Sequence, residues 1–370
     1  MDILHNTRPK FNLDKLLEKA YNRLRLDKTE IAYLLNLNTE KDIERLFLVA
    51  QELRNRYFSN RIFLYGFVYF STWCRNNCAF CFYRKSNSIP KRYRKSKQEI
   101  LEAAGSLAES GVHLIDLTMG EDPFYFQKPD GFVQLIDLVK QVKIQTQLPV
   151  MISPGVASEQ MLGELATVDA DWYACYQETH NEQLFNQLRL HQSYEARYSS
   201  KQIALNHGLL VEEGIMTGIG ETVADLVQSM EKMSTLGAQQ VRVMSFVPQE
   251  GSMMSHWTSQ DRINELKIIA VLRLLMPDRL IPASLDIDGI EGLQARLKAG
   301  ANVITSLIPP SMGFAGVAQS TKDINEGSRT VQGVLPILNR MGLTAATSKA
   351  YLDWITHERI ILLRQANAGI

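Results

Sequence analysis

The feature that most constrains the fold is a regular alternation of short apolar runs with helical segments. Eight runs are rich in β-branched and aromatic residues, as strands are. They are residues 62–70, 113–118, 149–153, 172–177, 209–217, 240–246, 280–285 and 302–307. The segments between them carry apolar residues at helical spacing. These segments are residues 96–109, 131–144, 158–166, 194–207, 223–236, 258–276 and 290–298.

The composition of the strands predicts how they pack. They are apolar almost without interruption, which is typical of parallel strands covered by helices on the outside. Eight such units predict an α/β protein with a closed (β/α)8 TIM barrel, and an open doubly wound sheet is the alternative. Capping boxes are predicted at Ser96 with Glu99 and at Thr258 with Asp261.

The ends of the chain predict additional helices around the barrel. We expect an N-terminal helical extension in residues 1–60, with helices at 29–35 and 39–55, and the barrel itself in residues 61–320. We expect C-terminal helices packed on the barrel in residues 321–370, at 330–341 and 348–365.

Charge and composition exclude several classes of partner. Forty Lys and Arg residues balance forty Asp and Glu residues, so no net field attracts nucleic acid or an anionic membrane. The basic stretch Lys91–Lys95 is interpreted as a solvated face. The first residues carry no apolar run, and no stretch approaches the roughly 18 to 20 apolar residues of a membrane span. Four cysteines do not form a disulfide scaffold, so we expect a soluble, cytoplasmic protein.

Polar side chains gather where the predicted strands end. In barrels of this kind the chemistry takes place at the carboxyl ends of the strands. The residues concerned are Asp116, Glu121, Ser153, Glu178, Glu221, Arg242, Glu250, Ser284, Asp286, Thr305 and Ser306. This repeated clustering predicts a polar site at one end of the barrel.

Three of the four cysteines follow the first strand, at Cys74, Cys78 and Cys81. Thiolates suit iron–sulfur clusters and zinc. A structural zinc requires a fourth ligand, and no Cys or His follows in the next 30 residues. The spacing therefore favours an iron–sulfur cluster with one open iron. A zinc site and three unconnected buried thiols are the alternatives.

The spacing C-x3-C-x2-C, with Phe80 before the last cysteine, resembles that of the radical S-adenosylmethionine enzymes. This resemblance implies a [4Fe-4S] cluster held by the three cysteines and S-adenosylmethionine bound at the open iron. It also implies one-electron cleavage of that cofactor to a 5′-deoxyadenosyl radical, and an electron donor such as flavodoxin or ferredoxin.

Further segments resemble the cofactor-binding motifs of that family. The segment after the second strand is similar to a Gly-Gly-Glu motif that binds the methionyl amino group, with Met119 in place of the first glycine. The resemblance assigns the ribose to Glu178 and the methionyl carboxylate to Arg197, whose fork can bind a carboxylate bidentately. The cofactor-binding residues that it implies are Phe80, Gly120, Glu121, Ser153, Glu178, Arg197 and Gly218.

Longer stretches resemble the lysine-mutase branch of this family, which isomerises L-lysine to (3R)-3-methyl-D-ornithine in pyrrolysine biosynthesis. They include residues 60–83, 114–126, 176–189 and 279–293. A free diamino acid needs a cation for its carboxylate and anions for its two ammonium groups. We expect Arg242 to bind the carboxylate. The other substrate-binding residues we expect are Asp116 for the distal ammonium group, Ser284 and Asp286 for the α-amino group, and Thr305 and Ser306.

Three rival functions remain. Sulfur insertion of the biotin synthase type needs a second cluster, for which only Cys175 remains. A maturase of hydrogenase assembly would share the barrel and the cysteine loop. An electron carrier or a zinc-stabilised binding module would need neither the cofactor motifs nor the charged strand ends.

Overall fold

The computed structural model describes residues 11–309 and 329–367. The strands are β1 (Arg61–Ser71), β2 (Leu114–Met119), β3 (Val150–Ser153), β4 (Trp172–Ala174), β5 (Leu210–Thr217), β6 (Gln240–Ser245), β7 (Pro282–Ser284), β8 (Val303–Leu307) and β9 (Thr344–Ala345). The first eight confirm the eight predicted strands. The two-residue strand β9, which was not predicted, pairs with the start of β1.

Helices fill the connections and both ends of the described chain. They are α1 (Leu13–Tyr21), α2 (Lys28–Leu35), α3 (Glu40–Phe58), α4 (Lys97–Ser110), α5 (Pro123–Gln127), α6 (Pro129–Thr146), α7 (Glu159–Thr167), α8 (Glu182–Leu188), α9 (Tyr194–Asn206), α10 (Val223–Leu236), α11 (Ile263–Leu275), α12 (Leu293–Lys298), α13 (Val331–Arg340) and α14 (Ser348–Asn367). Among the described residues, no helix is both long enough and apolar enough to span a membrane.

One capping box is confirmed and the other is wrong. Ser96 and Glu99 cap α4 reciprocally. Helix α11 begins later than predicted, at Ile263, because the Asp261 carboxylate accepts a hydrogen bond from the Ile263 amide at 2.9 Å. This local turn competes with a helical start at Thr258.

The eight strands form a parallel barrel that is nearly closed, which confirms the predicted fold class. The sheet runs in the order β6-β5-β4-β3-β2-β1-β8-β7. Between β6 and β7 a single parallel bridge joins Gln240 to Leu280, supported by a 2.9 Å bond from the Val241 amide to the Leu280 carbonyl. Hydrogen bonds therefore close the barrel at the amino ends of these strands, and no backbone pairing joins the described residues of β6 and β7 further along.

The last helix covers the amino-terminal end of the barrel. Tyr351 of α14 is fully buried against Phe63 and shares a 2.6 Å hydrogen bond with the Tyr65 hydroxyl. Trp354 stacks on Trp172, with ring centroids 5.9 Å apart. These aromatic side chains fill the amino-terminal end of the barrel, so a cavity can form only toward the carboxyl ends of the strands.

The N-terminal helices pack on the outside of the barrel. Helix α3 lies against α11 and α12, and Arg54 donates a 2.6 Å hydrogen bond to the Leu297 carbonyl. The 61–320 and 321–370 boundary that the sequence predicts lies outside the described residues.

Candidate active site

A cavity of about 240 Å³ lies at the carboxyl end of the barrel, within the described part of the chain. Most of the residues that the sequence predicts for the site line it. They are Cys74, Cys78, Phe80, Cys81, Asp116, Gly120, Glu121, Ser153, Glu178, Arg197, Arg242, Asp286 and Ser306. The cavity thus has a thiol wall, formed by Cys74, Cys78 and Cys81, and a charged wall, formed by Asp116, Arg242 and Asp286 at the strand ends.

Three predicted site residues do not line this cavity. The amide of Gly218 donates to the Glu221 carboxylate at 2.9 Å, so this glycine shapes the loop after β5. Ser284 lies behind Asp286, with its hydroxyl 3.3 Å from that carboxylate. Thr305 is buried in the barrel and its hydroxyl has no partner among the described residues. The next residue, Ser306, reaches the cavity, and its backbone has a positive φ of 67°.

The cysteine loop is held in place by its neighbours, because it has little regular structure of its own. Gly120 packs so closely that an added Cβ would lie 2.4 Å from the Trp73 carbonyl oxygen and 2.9 Å from the Cys74 Cβ. On the other side, the Ala79 amide donates to the Leu188 carbonyl at 2.7 Å. The end of β2 and the end of α8 therefore fix the two halves of the loop.

The three thiols of the loop lie close together, with Cys78 buried and Cys74 and Cys81 half-buried. Burial raises the pKa of the Cys74 thiol to about 11. Burial, with the neighbouring Cys78 and Cys74, also raises the pKa of Cys81. Among the described residues, no three His, Cys, Asp or Glu side chains gather as a single metal ion would require. A cubane cluster does not need such a group, because it takes each thiolate at a different iron.

A buried ion network extends from the cysteine loop to α9. The Glu121 carboxylate lies 3.1 Å from Arg197 and 3.0 Å from Arg75, and it accepts a 3.0 Å hydrogen bond from the Val156 amide. Burial alone would raise the pKa of Glu121, but Arg197 and these other partners outweigh it and lower the pKa. Glu121 is therefore a stable anion that orients Arg197 beside the thiols.

A second ion pair borders the same wall, and one of its members was missed by the sequence analysis. Arg189 lies 2.6 Å from the Glu178 carboxylate and stacks over the Phe80 ring, 5.4 Å from its centroid. Glu178 itself has a left-handed backbone with φ of 68°. Burial raises the pKa of Glu178, partly offset by Arg189 and Arg197. Arg189 ends the stretch 176–189 that resembles the lysine-mutase branch, but no motif marked it as a site residue, because it follows a short helix that was not predicted.

The opposite wall carries Arg242, held from behind by two residues that the sequence analysis did not select. Its Nε donates to Glu212 at 2.7 Å, and its guanidinium lies 5.4 Å from the Tyr176 ring centroid. The Tyr176 hydroxyl donates to the other oxygen of Glu212 at 2.8 Å. Glu212 and Tyr176 thus fix the guanidinium plane from one side.

Asp116 faces the same space from β2. Its carboxylate accepts hydrogen bonds from Thr118 at 2.9 Å and Ser153 at 3.1 Å. Burial, together with the nearby Glu212, raises the pKa of Asp116 to about 7, against an opposing effect of Arg242. No cation pairs directly with Asp116 among the described residues, so its carboxylate is available to a cationic ligand.

The third charged position is Asp286, after β7. Its carboxylate lies 2.8 Å from the fully buried Arg329 and accepts a 2.7 Å hydrogen bond from Ser306. Arg329 also donates to the Ser306 carbonyl at 3.1 Å. Arg329 was missed because it lies more than 40 positions away along the chain and in no predicted strand.

The barrel and this site define a radical S-adenosylmethionine enzyme, and residues 68–233 match the model of the Radical SAM superfamily. The chain is 43% identical to 3-methylornithine synthase of Methanosarcina acetivorans, over 90% of this chain and 95% of that protein. It superposes on a crystal structure of methylornithine synthase (PylB) with a TM-score of 0.87 at 40% identity, covering 92% of this chain and 99% of that one.

A more distant relative is the [FeFe] hydrogenase maturase subunit HydE of Thermotoga maritima, 31% identical over 81% of this chain and 84% of that protein. The chain belongs to the methylornithine synthase family of the Radical SAM superfamily.

Proposed function

We propose that this chain isomerises L-lysine to (3R)-3-methyl-D-ornithine, as a radical mutase of pyrrolysine biosynthesis. The observation that carries the proposal is the charge pattern of the cavity opposite the thiols. Asp116 and Glu212 are buried carboxyl groups on either side of one guanidinium, that of Arg242, and Asp286 is paired with Arg329. With Asp116 ionised, as a bound ammonium group would favour, this wall has one excess negative charge, and lysine, with two ammonium groups and one carboxylate, has one excess positive charge.

The carboxylate of lysine would bind Arg242. Glu212 occupies the Nε of this guanidinium, whereas Nη1 makes only a long 3.9 Å contact with the Met244 sulfur. No oxygen of a described residue pairs with Nη1 or Nη2. Nη1 and Nη2 together can bind a carboxylate bidentately. Because Glu212 already holds the guanidinium in place, less conformational entropy is lost when the ligand binds.

The two ammonium groups would bind the two aspartates. Asp286 with Ser306 would hold the α-amino group, with Ser284 supporting the Asp286 carboxylate from behind. Asp116 would hold the distal ammonium group, assisted by Ser153 and Thr118. An ammonium group at Asp116 would offset the burial that raises its pKa. Holding both ends of the substrate would keep the fragments of a rearrangement close enough to recombine.

The residues of the opposite wall fit the cofactors that the family implies. Three thiols that line one cavity provide three ligands for a [4Fe-4S] cluster, and Cys74, Cys78 and Cys81 would hold it. Arg197 would bind the methionyl carboxylate, Glu178 the ribose, and Glu121 with the backbone at Gly120 the methionyl amino group. When bound, the cluster and S-adenosylmethionine would supply the 5′-deoxyadenosyl radical that abstracts a hydrogen atom from lysine.

An electron donor such as flavodoxin or ferredoxin would approach the cysteine loop. Trp73, next to Cys74, is 46% exposed, so the cluster would lie close to the surface. The four free thiols favour a reducing compartment, so the cytoplasm is the setting we propose.

The test is turnover of isotopically labelled L-lysine by the anaerobically reconstituted protein with S-adenosylmethionine and a reductant. We expect a product of unchanged mass with a branched carbon chain, identified by nuclear magnetic resonance. Arg242→Ala should abolish product formation while iron content and S-adenosylmethionine binding stay at the parent level. Arg340→Ala, at an exposed position in the last turn of α13, is the matched control and should behave as the parent.

Two results would contradict the proposal. One is unreacted lysine under conditions in which S-adenosylmethionine is cleaved, which would favour a maturase-like reaction on another small substrate. The other is full lysine turnover by Arg242→Ala.

A further inference from the structure

The corner between α8 and α9 brings several polar side chains to the thiol wall. It comprises residues 189–193, and the first turn of α9 follows directly. Arg189 and Gln192 come from the corner, and Arg197 comes from the helix. The Ala79 amide bonds to the Leu188 carbonyl at 2.7 Å, so this corner and the cysteine loop are fixed relative to each other.

Gln192 bridges a thiol and a guanidinium. Its Nε2 lies 3.1 Å from the Cys78 sulfur, and its Oε1 accepts a 2.8 Å hydrogen bond from Nη2 of Arg197. A guanidinium only donates hydrogen bonds, so the oxygen of the amide must face Arg197. The NH2 group must then face Cys78, and the direction of the hydrogen bond to the sulfur follows from chemistry alone.

This contact distinguishes Cys78 from the other two cysteines of the loop. Among the described residues, side-chain N–H groups approach Cys78 from Gln192 and, at 3.6 Å, from Arg189. Side-chain donors of this kind are not found at Cys74 or Cys81 in the same part of the chain. An N–H group that points at a cluster thiolate stabilises the reduced, more negative state of the cluster and raises its reduction potential.

Arg197 makes the amide a better donor. A cation that donates to the amide oxygen polarises the amide and strengthens the hydrogen bond from its NH2 group. The same Nη2 atom of Arg197 lies 3.1 Å from Glu121. A carboxylate bound by Arg197 would partly neutralise the guanidinium and weaken this polarisation. Gln192 therefore links occupancy of the cofactor site to the electronic environment of one cluster ligand.

We infer that Gln192 is a positioning residue that raises the reduction potential of the cluster through Cys78 and couples it to the cofactor-binding Arg197. The inference rests on the proposed cluster and cofactor sites and does not involve lysine. Among the described residues, the side chain of Gln192 forms hydrogen bonds with Cys78 and Arg197 and with none of the proposed substrate-binding residues.

The experiment is a redox titration of the reconstituted protein, monitored by electron paramagnetic resonance, with and without S-adenosylmethionine. Gln192→Leu removes both hydrogen bonds, whereas Gln192→Glu keeps an acceptor for Arg197 and removes the donor to Cys78. Both variants should bind the full complement of iron and show midpoint potentials more negative than the parent. The difference should be largest without S-adenosylmethionine and should shrink when it is bound.

Cofactor affinity separates the two variants. Gln192→Leu also removes an acceptor that orients Arg197, so its dissociation constant for S-adenosylmethionine should rise about five-fold, as loss of one hydrogen bond of ordinary strength predicts. Gln192→Glu should stay near the parent value. Gln183→Leu, at an exposed position in α8, is the matched control and should change neither quantity.

Unchanged midpoint potentials in both variants, with full iron content, would overturn the inference. An equal shift with and without S-adenosylmethionine would overturn the coupling to Arg197. If Gln192→Leu lost iron, the potential of Gln192→Glu would decide the question. None of these measurements needs lysine, so a protein that shows the shifts but forms no isomer would contradict the proposed function and leave the inference supported.

Discussion

At the scale of single residues, Asp116 shows how a binding site can oppose stability. Its carboxylate is buried near Glu212 and has no direct cationic partner among the described residues, and its pKa rises to about 7. The group is protonated readily in the folded protein and less readily in the unfolded chain. Its stabilising effect is therefore present at low pH and is lost as the pH rises through about 7.

Asp116→Asn should increase stability at pH 8 in the absence of lysine. The amide keeps hydrogen-bonding capacity without the buried charge, so we expect a gain of roughly 1 to 4 kcal/mol, based on the free energy that accompanies each unit of pKa shift. The gain should shrink as the pH falls below about 7, and it should be gone at about pH 3, where the carboxyl group is neutral in both the folded and the unfolded protein. Calorimetric unfolding at the two pH values measures it, with the exposed Asp130→Asn as control.

A loss of stability at pH 8 in Asp116→Asn would contradict this account. It would mean that the ionised carboxylate is stabilised in the protein without lysine by a partner that the structure does not show.

The same pKa governs how activity depends on pH. In the proposed binding mode an ammonium group pairs with the ionised Asp116 carboxylate, so kcat/KM for lysine should fall about ten-fold per pH unit below about pH 7. Initial rates between pH 5.5 and 8 measure this decrease in kcat/KM, with the iron content checked at each pH. A flat profile down to pH 5.5 would show that Asp116 does not bind the distal ammonium group in its ionised form.

At the scale of elements, the end of β2 and the cysteine loop depend on each other. Gly120 lies where any side chain would collide with the Trp73 carbonyl and Cys74. The adjacent Glu121 then extends to Arg197 across the thiol wall. One short segment thus fixes both the position of the first thiol and the orientation of the arginine.

Gly120→Ala should displace the cysteine loop. We expect a destabilisation of about 1 to 3 kcal/mol, the usual cost of overpacking, and a clear loss of bound iron. Iron analysis and thermal unfolding of the reconstituted protein measure the two effects. Gly163→Ala is the control, because this glycine lies inside α7 and an added Cβ would come no closer than 3.3 Å to the His207 ring.

The Gly163→Ala protein should bind iron like the parent. Full iron content in Gly120→Ala would show that the loop can move aside, and that this close contact does not position the first thiol.

At the scale of the whole molecule, the two ends of the barrel differ in composition. Aromatic residues of β1, β4 and α14 fill the amino-terminal end, where Tyr351 meets Tyr65 and Phe63. Charged residues occupy the other end and surround the cavity. The apolar end supplies stability that offsets the cost of burying charges at the functional end.

Tyr351→Ala should therefore destabilise the whole barrel. The side chain is fully buried, and we expect a loss of about 3 to 5 kcal/mol, as for other large aromatic side chains truncated in a core. Urea denaturation measures it. Its neighbour Leu352 is 44% exposed, and Leu352→Ala should change stability by less than about 0.5 kcal/mol. Equal effects of the two substitutions would show that α14 does not close the barrel as described.

Regular features of the barrel could be predicted because their signals are local. Strand β5 and helix α10 were predicted within one residue of their observed bounds, since period and composition mark them directly. Short elements such as α5 and α8 were missed because five to seven residues carry too little periodicity. The surroundings of Gly218 could not be predicted either, because a glycine motif alone does not show whether its amides face a ligand or, as here, a local carboxylate.

The sequence by itself determined the eight parallel strands, the three-thiol loop and the charged strand ends, because each is encoded in contiguous residues. Only the tertiary structure decided which side chains pair across the cavity: Arg189 with Glu178, Arg329 with Asp286, and Gln192 with Cys78. These pairs join residues that are 11, 43 and 114 positions apart. Such contacts depend on barrel closure and loop packing, which no local pattern specifies.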